Sequence, residues 1–170
     1  MPEAFFFAQT RSPIGCARQQ GQANGGVRHL LQRTVFLLPE TLIDPATVQA
    51  YRETHYRVHG DTPLTLHVGV ASAALAALYK ARRVQSCAFI TACNPLGQVL
   101  EDGVNAERQQ ALAHELRQRS LKFAEGIGQH PCNDWPGEPS FLVWDLSLQA
   151  SKALGKRHGQ NAILWCASDA

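Results

Sequence analysis

Apolar positions from Asp44 onward fall into short blocks separated by turn residues, and each block carries a helix or a strand period. The clearest block is the strand-like run Cys87 to Ala92, which ends at Asn94-Pro95 and leads through a polar loop to a helix opening at Asn105. A run apolar on both faces is expected of a central strand covered from both sides. Upstream, Val48, Tyr51, His55 and Val58 recur at helical spacing behind Asp44-Pro45, which predicts a helix over about 45–57 with Asp44 as its cap and proline at its first position. Leu64, Leu66 and Val68 alternate with Thr65 and His67, the pattern of a strand with one wetter face. Ser72 is placed to cap an alanine-rich and leucine-rich helix running to about Arg83. Leu112 and Leu116 mark the inward stripe of a helix from Asn105 to about Ser120. Lys122 to Ile127 and Ser140 to Asp145 read as strands, Ser147 opens a last helix that Gly159 ends, and Ala162 to Ala167 closes the chain as a strand.

The alternation of helix and strand predicts an α/β fold: a single-domain sandwich with a mixed, largely parallel sheet of about five strands and flanking helices. The two strands around the proline-rich loop supply one antiparallel member. Residues 1–40 differ from the rest, with Pro2, Pro13, Pro39 and a Gln- and Gly-rich patch from Gln19 to Gly26. They read as an irregular, partly mobile extension of a domain over 41–170, although Val35 to Leu38 would suit a short docked strand.

Composition narrows the class. A chain of 170 residues, 45% apolar and 18% charged, can bury about 70% of its unfolded surface without a metal or disulfide staple. Sixteen basic against 14 acidic residues leave a net charge of +2, too little to argue for nucleic acid. Five cysteines, none in a CxxC pair, suggest neither a closed disulfide set nor a zinc knuckle, and fit a reducing cytoplasm. Neither a signal peptide nor a run near the ~18 apolar residues of a membrane helix is expected.

Candidate chemistry gathers at two loops. Residues 126–139, with Pro131, Pro136 and Pro139, span 14 residues, and loops of ~12 or more are often functional. If they fold over the end of the 87–92 strand, Asn94, Glu101, Asn105, Arg108, Trp135, Glu138 and Ser140 converge on one pocket. That mixture suits a polar small molecule with a flat ring, such as a nucleotide, with Trp135 stacking and Asn and Glu reading polar edges. The structural alternative makes Asn105 only a cap, Asn94-Pro95 only a turn and Trp135 an apolar lid. Glu101 and Glu138 are candidate catalytic carboxylates for a hydrolase, which requires that they face a common cavity. His55 and His59 sit four apart, but no carboxylate occupies a zincin position, so no metal site is assigned. Cys93 lacks a recognisable histidine partner and reads as a small buried hydrophobe. Gly126-Ile127-Gly128 is a lone fragment of a dinucleotide fingerprint with no helix after it. Lys80, Arg82 and Arg83, like Arg117, Arg119 and Lys122, lie at helix carboxyl ends, where the dipole accounts for them.

Several of these segments carry a resemblance. Phe89-Ile90-Thr91-Ala92, Asn94-Pro95, Asn105, Gly126 and Gly128, Trp135-Pro136 with Glu138-Pro139-Ser140, and Gly159-Gln160-Asn161-Ala162 occur in the order found in a bacterial family, the domain of unknown function 3293. The chain resembles that family over roughly 45–167 and departs from it at Cys93 and Gly97. The resemblance implies one compact bacterial domain and brings no activity or cofactor. The expectation is a polar-small-molecule binder. The rival readings are a protein- or RNA-interaction module without catalysis and a carboxylate-assisted hydrolase, so whether the protein is an enzyme stays open.

Overall fold

The structure is a computed structural model that describes residues 4–8 and 43–167. Strand β4 (Ser86–Ile90) lies in the interior of the fold, with Cys87, Ala88, Phe89 and Ile90 all buried. Seven strands, β1 (Ala4–Ala8), β2 (His55–Val58), β3 (Leu64–Leu66), β4, β5 (Phe123–Gln129), β6 (Glu138–Trp144) and β7 (Ala162–Ala167), form one sheet in the order β1-β7-β4-β6-β5-β2-β3. The helices are α1 (Pro45–Glu53), α2 (Ala73–Arg82), α3 (Asp102–Gln118) and α4 (Leu148–Arg157).

Every neighbouring pair in this sheet is antiparallel, so the expected five-stranded, largely parallel sheet is wrong. The reason lies in the crossovers. β4 and β5 do run in the same direction across α3, and β6 and β7 across α4, as alternation implies. Each crossover skips a strand, however, and the gap is filled by one of opposite direction: β6 lies between β4 and β5, and β4 lies between β6 and β7. Two interlocked split β-α-β units result. Alternation reports strand direction but not which strand fills the gap.

The second correction is at residues 55–58. The predicted helix ends at Glu53, and His55–Val58 is β2, with Tyr56 and Val58 buried in strand alternation. Tyr51, His55 and Val58 also fit a helical stripe, and two buried residues in period two are too few to override it. β2 pairs with β3 and with β5. Gly126 of β5 lets this pairing form, since a Cβ there would collide with the Arg57 carbonyl and the Phe89 ring. The expected irregular extension is represented by Ala4–Ala8, which is not irregular: it pairs with β7 in the register Ala4↔Cys166 to Ala8↔Ala162. The Val35 to Leu38 strand lies outside the described residues.

The sheet has a core on each face. Ala88, Ile90, Phe141, Val143 and Ile163 pack beneath Leu112, Ala113 and Leu116 of α3 and Leu154 of α4. Cys87, Phe89, Leu142, Trp144, Leu164 and Cys166 point the other way, toward Leu75 and Tyr79 of α2 and the apolar side of the β2–β3 hairpin. Each fully buried leucine contributes about 1.5–3 kcal/mol. The caps at Asp44, Ser72 and Ser147 are as expected, each side chain accepting from a backbone N–H three residues on.

Candidate functional site

The chain turns sharply where β4 ends. Asn94 is 6% exposed and left-handed (φ 46°), and Leu96 (φ 57°) and Gly97 (φ 73°) follow in the same region around the 3-10 turn Pro95–Gly97. Asparagine tolerates this backbone, whereas leucine is strained there. The turn is held by the Leu96 N–H donating to the Gly159 carbonyl at 2.7 Å. Asn94 Oδ1 accepts from the Leu100 N–H at 3.0 Å and from Asn105 Nδ2 at 2.9 Å, while the Asn94 N–H donates to Asn105 Oδ1 at 2.9 Å. Asn105 is therefore not the helix cap expected of it. α3 opens three residues earlier, behind Glu101, and Asn105 turns back from the first turn to brace the corner.

Glu138 joins this corner to the proline-rich segment. Its Oε1 accepts from Asn94 Nδ2 at 2.7 Å and from the Trp135 indole N–H at 3.1 Å, and among the described residues Oε2 has no hydrogen bond. Burial pushes the carboxyl pKa above the ordinary value, and the two donors pull it back only in part. Strand alternation along β6 sets Glu138 on the side of Leu142 and Trp144, where its charge is felt by the Tyr51 and Tyr56 hydroxyls. Because β5 runs to Gln129 and β6 starts at Glu138, the irregular segment is only residues 130–137, shorter than the loop expected from the sequence. His130 Nδ1 accepts from the Cys132 and Asn133 N–H groups within it.

Asn94, Asn105, Trp135 and Glu138 thus meet in one hydrogen-bonded network, and the other three predicted residues do not join it. Arg108 donates from Nε to the Ala92 carbonyl and from Nη2 to the His158 carbonyl, both at 2.8 Å, tying the end of β4 to the end of α4. Ser140 is 3% exposed and donates to the carbonyl of Glu138. Glu101 is exposed at the start of α3.

Beside the network, on the α3 face of the sheet, lies a cleft of about 550 Å³ between α3 and the β5–β6 pair. Asn94, Asn105, Glu138, Gln109 and Phe141 line it, whereas Glu101, Arg108, Trp135 and Ser140 do not. Trp135 is 40% exposed and acts here through its N–H on Glu138 rather than through its ring face. The Glu101 and Glu138 carboxylates do not share this cavity. Gln109 was missed by sequence reasoning, although the signal is visible: it occupies the first position of the stripe 109, 112, 113, 116, where an apolar residue belongs. It is 8% exposed, and its Oε1 accepts from the Ala92 N–H at 3.0 Å.

The remaining candidates fall elsewhere. His55 and His59 do not share a helix face, because β2 begins at His55; the His55 ring packs edge-on to His67 with centroids 4.7 Å apart. Among the described residues no three His, Cys, Asp or Glu side chains cluster to hold a metal ion. Cys93 is 2% exposed, and burial raises its thiol pKa, the opposite of an activated nucleophile. No helix of the described residues is long and apolar enough to cross a membrane.

The corner, the cleft and α3 all fall within one stretch matched by a family model described as "Protein of unknown function (DUF3293)". Residues 90–163 are similar to the DUF3293 family. The DUF3293 stretch includes Asn94, Asn105, Arg108, Gln109, Trp135, Glu138 and Gln160 and is shorter than the 45–167 of the sequence resemblance, leaving α1, α2 and the β2–β3 hairpin outside. No curated protein and no solved structure matches the chain.

Proposed function

We propose that the protein binds a small polar organic molecule, of about nucleobase or nucleoside size, in the cleft between α3 and the β5–β6 pair. The observation that carries this reading is a cleft of about 550 Å³ walled by the prefixed Asn94–Asn105–Glu138 network, since ligand pockets typically span ~300–1,000 Å³ with a few positioned polar groups on apolar walls. The apolar wall comes from Leu100, Ala106, Ala113, Pro139 and Phe141. A nucleotide, the example suggested by the sequence, is a poorer fit than its unphosphorylated counterpart. Asp102 and Glu125 line the cleft against Arg117 alone among its basic residues, which disfavours a phosphate.

Ala106 is exposed and lines the cleft, so Ala106→Trp plugs it without disturbing the core. Nucleosides at a hundredfold excess over Kd are expected to stabilise the wild type by about 2.7 kcal/mol and to leave the plugged variant unmoved in thermal denaturation. Equal shifts in both proteins, or none in the wild type with any small polar molecule, defeat the reading. A second reading, docking of a protein partner, is favoured by the exposed apolar side chains of Leu96, Val99, Val104 and Trp135 around the same corner. Under it, Leu96→Ser and Val99→Ser abolish partner capture while small molecules have no effect.

A further inference from the structure

The Gln109 side chain is built into the fold by one end only. Its Oε1 accepts from the Ala92 N–H at 3.0 Å, which fixes the amide orientation, because the reversed amide would set an NH₂ against that N–H. The opposite end, Nε2, is buried and has no hydrogen-bond partner among the described residues. An orphaned buried amide donor destabilises the fold. Gln160 shows the alternative in the same neighbourhood: it is equally buried, and its Nε2 donates to the Cys93 carbonyl at 2.9 Å. Gln109 differs in lining the cleft.

From this geometry we infer that Gln109 is the specificity-determining residue of the cleft, donating from Nε2 to a carbonyl oxygen of an uncharged, amide-bearing ligand such as a pyrimidine nucleoside or a lactam. The inference rests on the cleft being the ligand site and adds what the ligand must carry. A carbonyl acceptor satisfies the donor that the fold leaves unpaired, and the lack of negative charge on the ligand suits a lining with the two carboxylates of Asp102 and Glu125 and one guanidinium. A protonated amine offers no acceptor to Nε2, and a carboxylate meets the like charges of Asp102 and Glu125.

Amide NMR of the full chain tests this with uridine, uridine monophosphate, nicotinamide, a primary amine and acetate as probes. Uridine and nicotinamide are expected to move the backbone amides of Cys93, Ala106 and Phe141 together with the side-chain NH₂ signals of Gln109. Gln109→Glu keeps an oxygen for the Ala92 N–H but removes the donor, and is expected to weaken uridine by about tenfold. The wild-type Gln109 signals decide the matter even if that variant folds poorly. The inference is overturned, with the cleft still a ligand site, if probes move the cleft amides while the Gln109 NH₂ signals stay still, if uridine binds Gln109→Glu unchanged, or if uridine monophosphate or acetate binds more tightly than uridine. If no probe and no wider set of polar fragments moves any cleft amide, the binding reading falls as well.

Discussion

The turn at the end of β4 has two flanks, and they treat their polar groups in opposite ways. On the α4 flank, Arg108 binds the Ala92 and His158 carbonyls, Gln160 binds the Cys93 carbonyl, Leu96 binds Gly159, and Glu115 of α3 gathers Arg119, Arg157 and His158. On the cleft flank, Gln109 leaves Nε2 unpaired and Glu138 leaves Oε2 without a hydrogen bond among the described residues. The same stretch of backbone is clamped from one side and open on the other. Polar groups consumed by the backbone can hold the corner but cannot recognise anything, whereas unconsumed groups beside a cavity destabilise the fold and remain available to a ligand.

Asn94 makes the turn from which both flanks depart, and its side chain bonds Leu100, Asn105 and Glu138, so its loss gives the largest effect. Asn94→Ala strands the Leu100 N–H, frees Glu138 from its closest donor and puts an alanine in left-handed backbone; a loss of about 3 kcal/mol is expected in urea denaturation. Asn94→Gly removes the same hydrogen bonds without the backbone penalty and should be about 1 kcal/mol milder. If the two variants unfold alike, the left-handed turn carries no strain worth counting. Next in size, Arg108→Met cuts the clamp between β4 and α4 and is expected to cost about 2 kcal/mol, with uridine affinity within about twofold of wild type, well short of the tenfold that a lost ligand hydrogen bond brings. Should Arg108→Met weaken the ligand as much as Gln109→Glu does, the flanks are one site and the contrast between them collapses.

How far this arrangement was legible in the sequence depends on the range of each interaction. Asp44, Ser72 and Ser147 declare their helices because a cap acts over three residues. The meeting of Asn94, Asn105, Trp135 and Glu138 was readable as a placement, since polar residues collect where a strand ends and prolines narrow the paths of the connecting loop. Which partner each side chain takes was not. Arg108 was grouped with the pocket residues, but the next residue, Gln109, lines the cavity, because one step along a helix turns the side chain by about 100°. Strand order was out of reach for the same reason. It is decided by pairings such as Glu125↔Phe141 and Cys87↔Trp144, which join residues 16 and 57 positions apart and leave no local periodicity.

The smallest expected effects are on pH dependence, and they sharpen the comparison because the two flanks carry opposite signs. At Glu115, burial opposes ionisation, but His158, Arg157 and Arg119 more than offset it and hold the pKa below the ordinary value of 4.5. A carboxylate depressed on folding contributes stability that is present above 4.5 and lost as pH falls through its folded pKa. Glu138 lies the other way: burial lifts its pKa above 4.5, so the folded state binds the proton more tightly than the unfolded chain, and stability is fully present below 4.5 and lost as pH rises through the folded pKa. Melting temperatures followed from about pH 3 to about pH 8 should therefore show Glu115→Gln flattening the acid limb and leaving the neutral limb unchanged, and Glu138→Gln flattening the decline above 4.5. Bound ligand adds a further test. A ligand group that donates to Glu138 Oε2 favours the ionised form and should lessen the loss between 4.5 and neutrality, leaving the acid limb where Glu115 set it. If ligand shifts the acid limb instead, its binding is coupled to the clamp, and the two flanks do not divide holding from recognition.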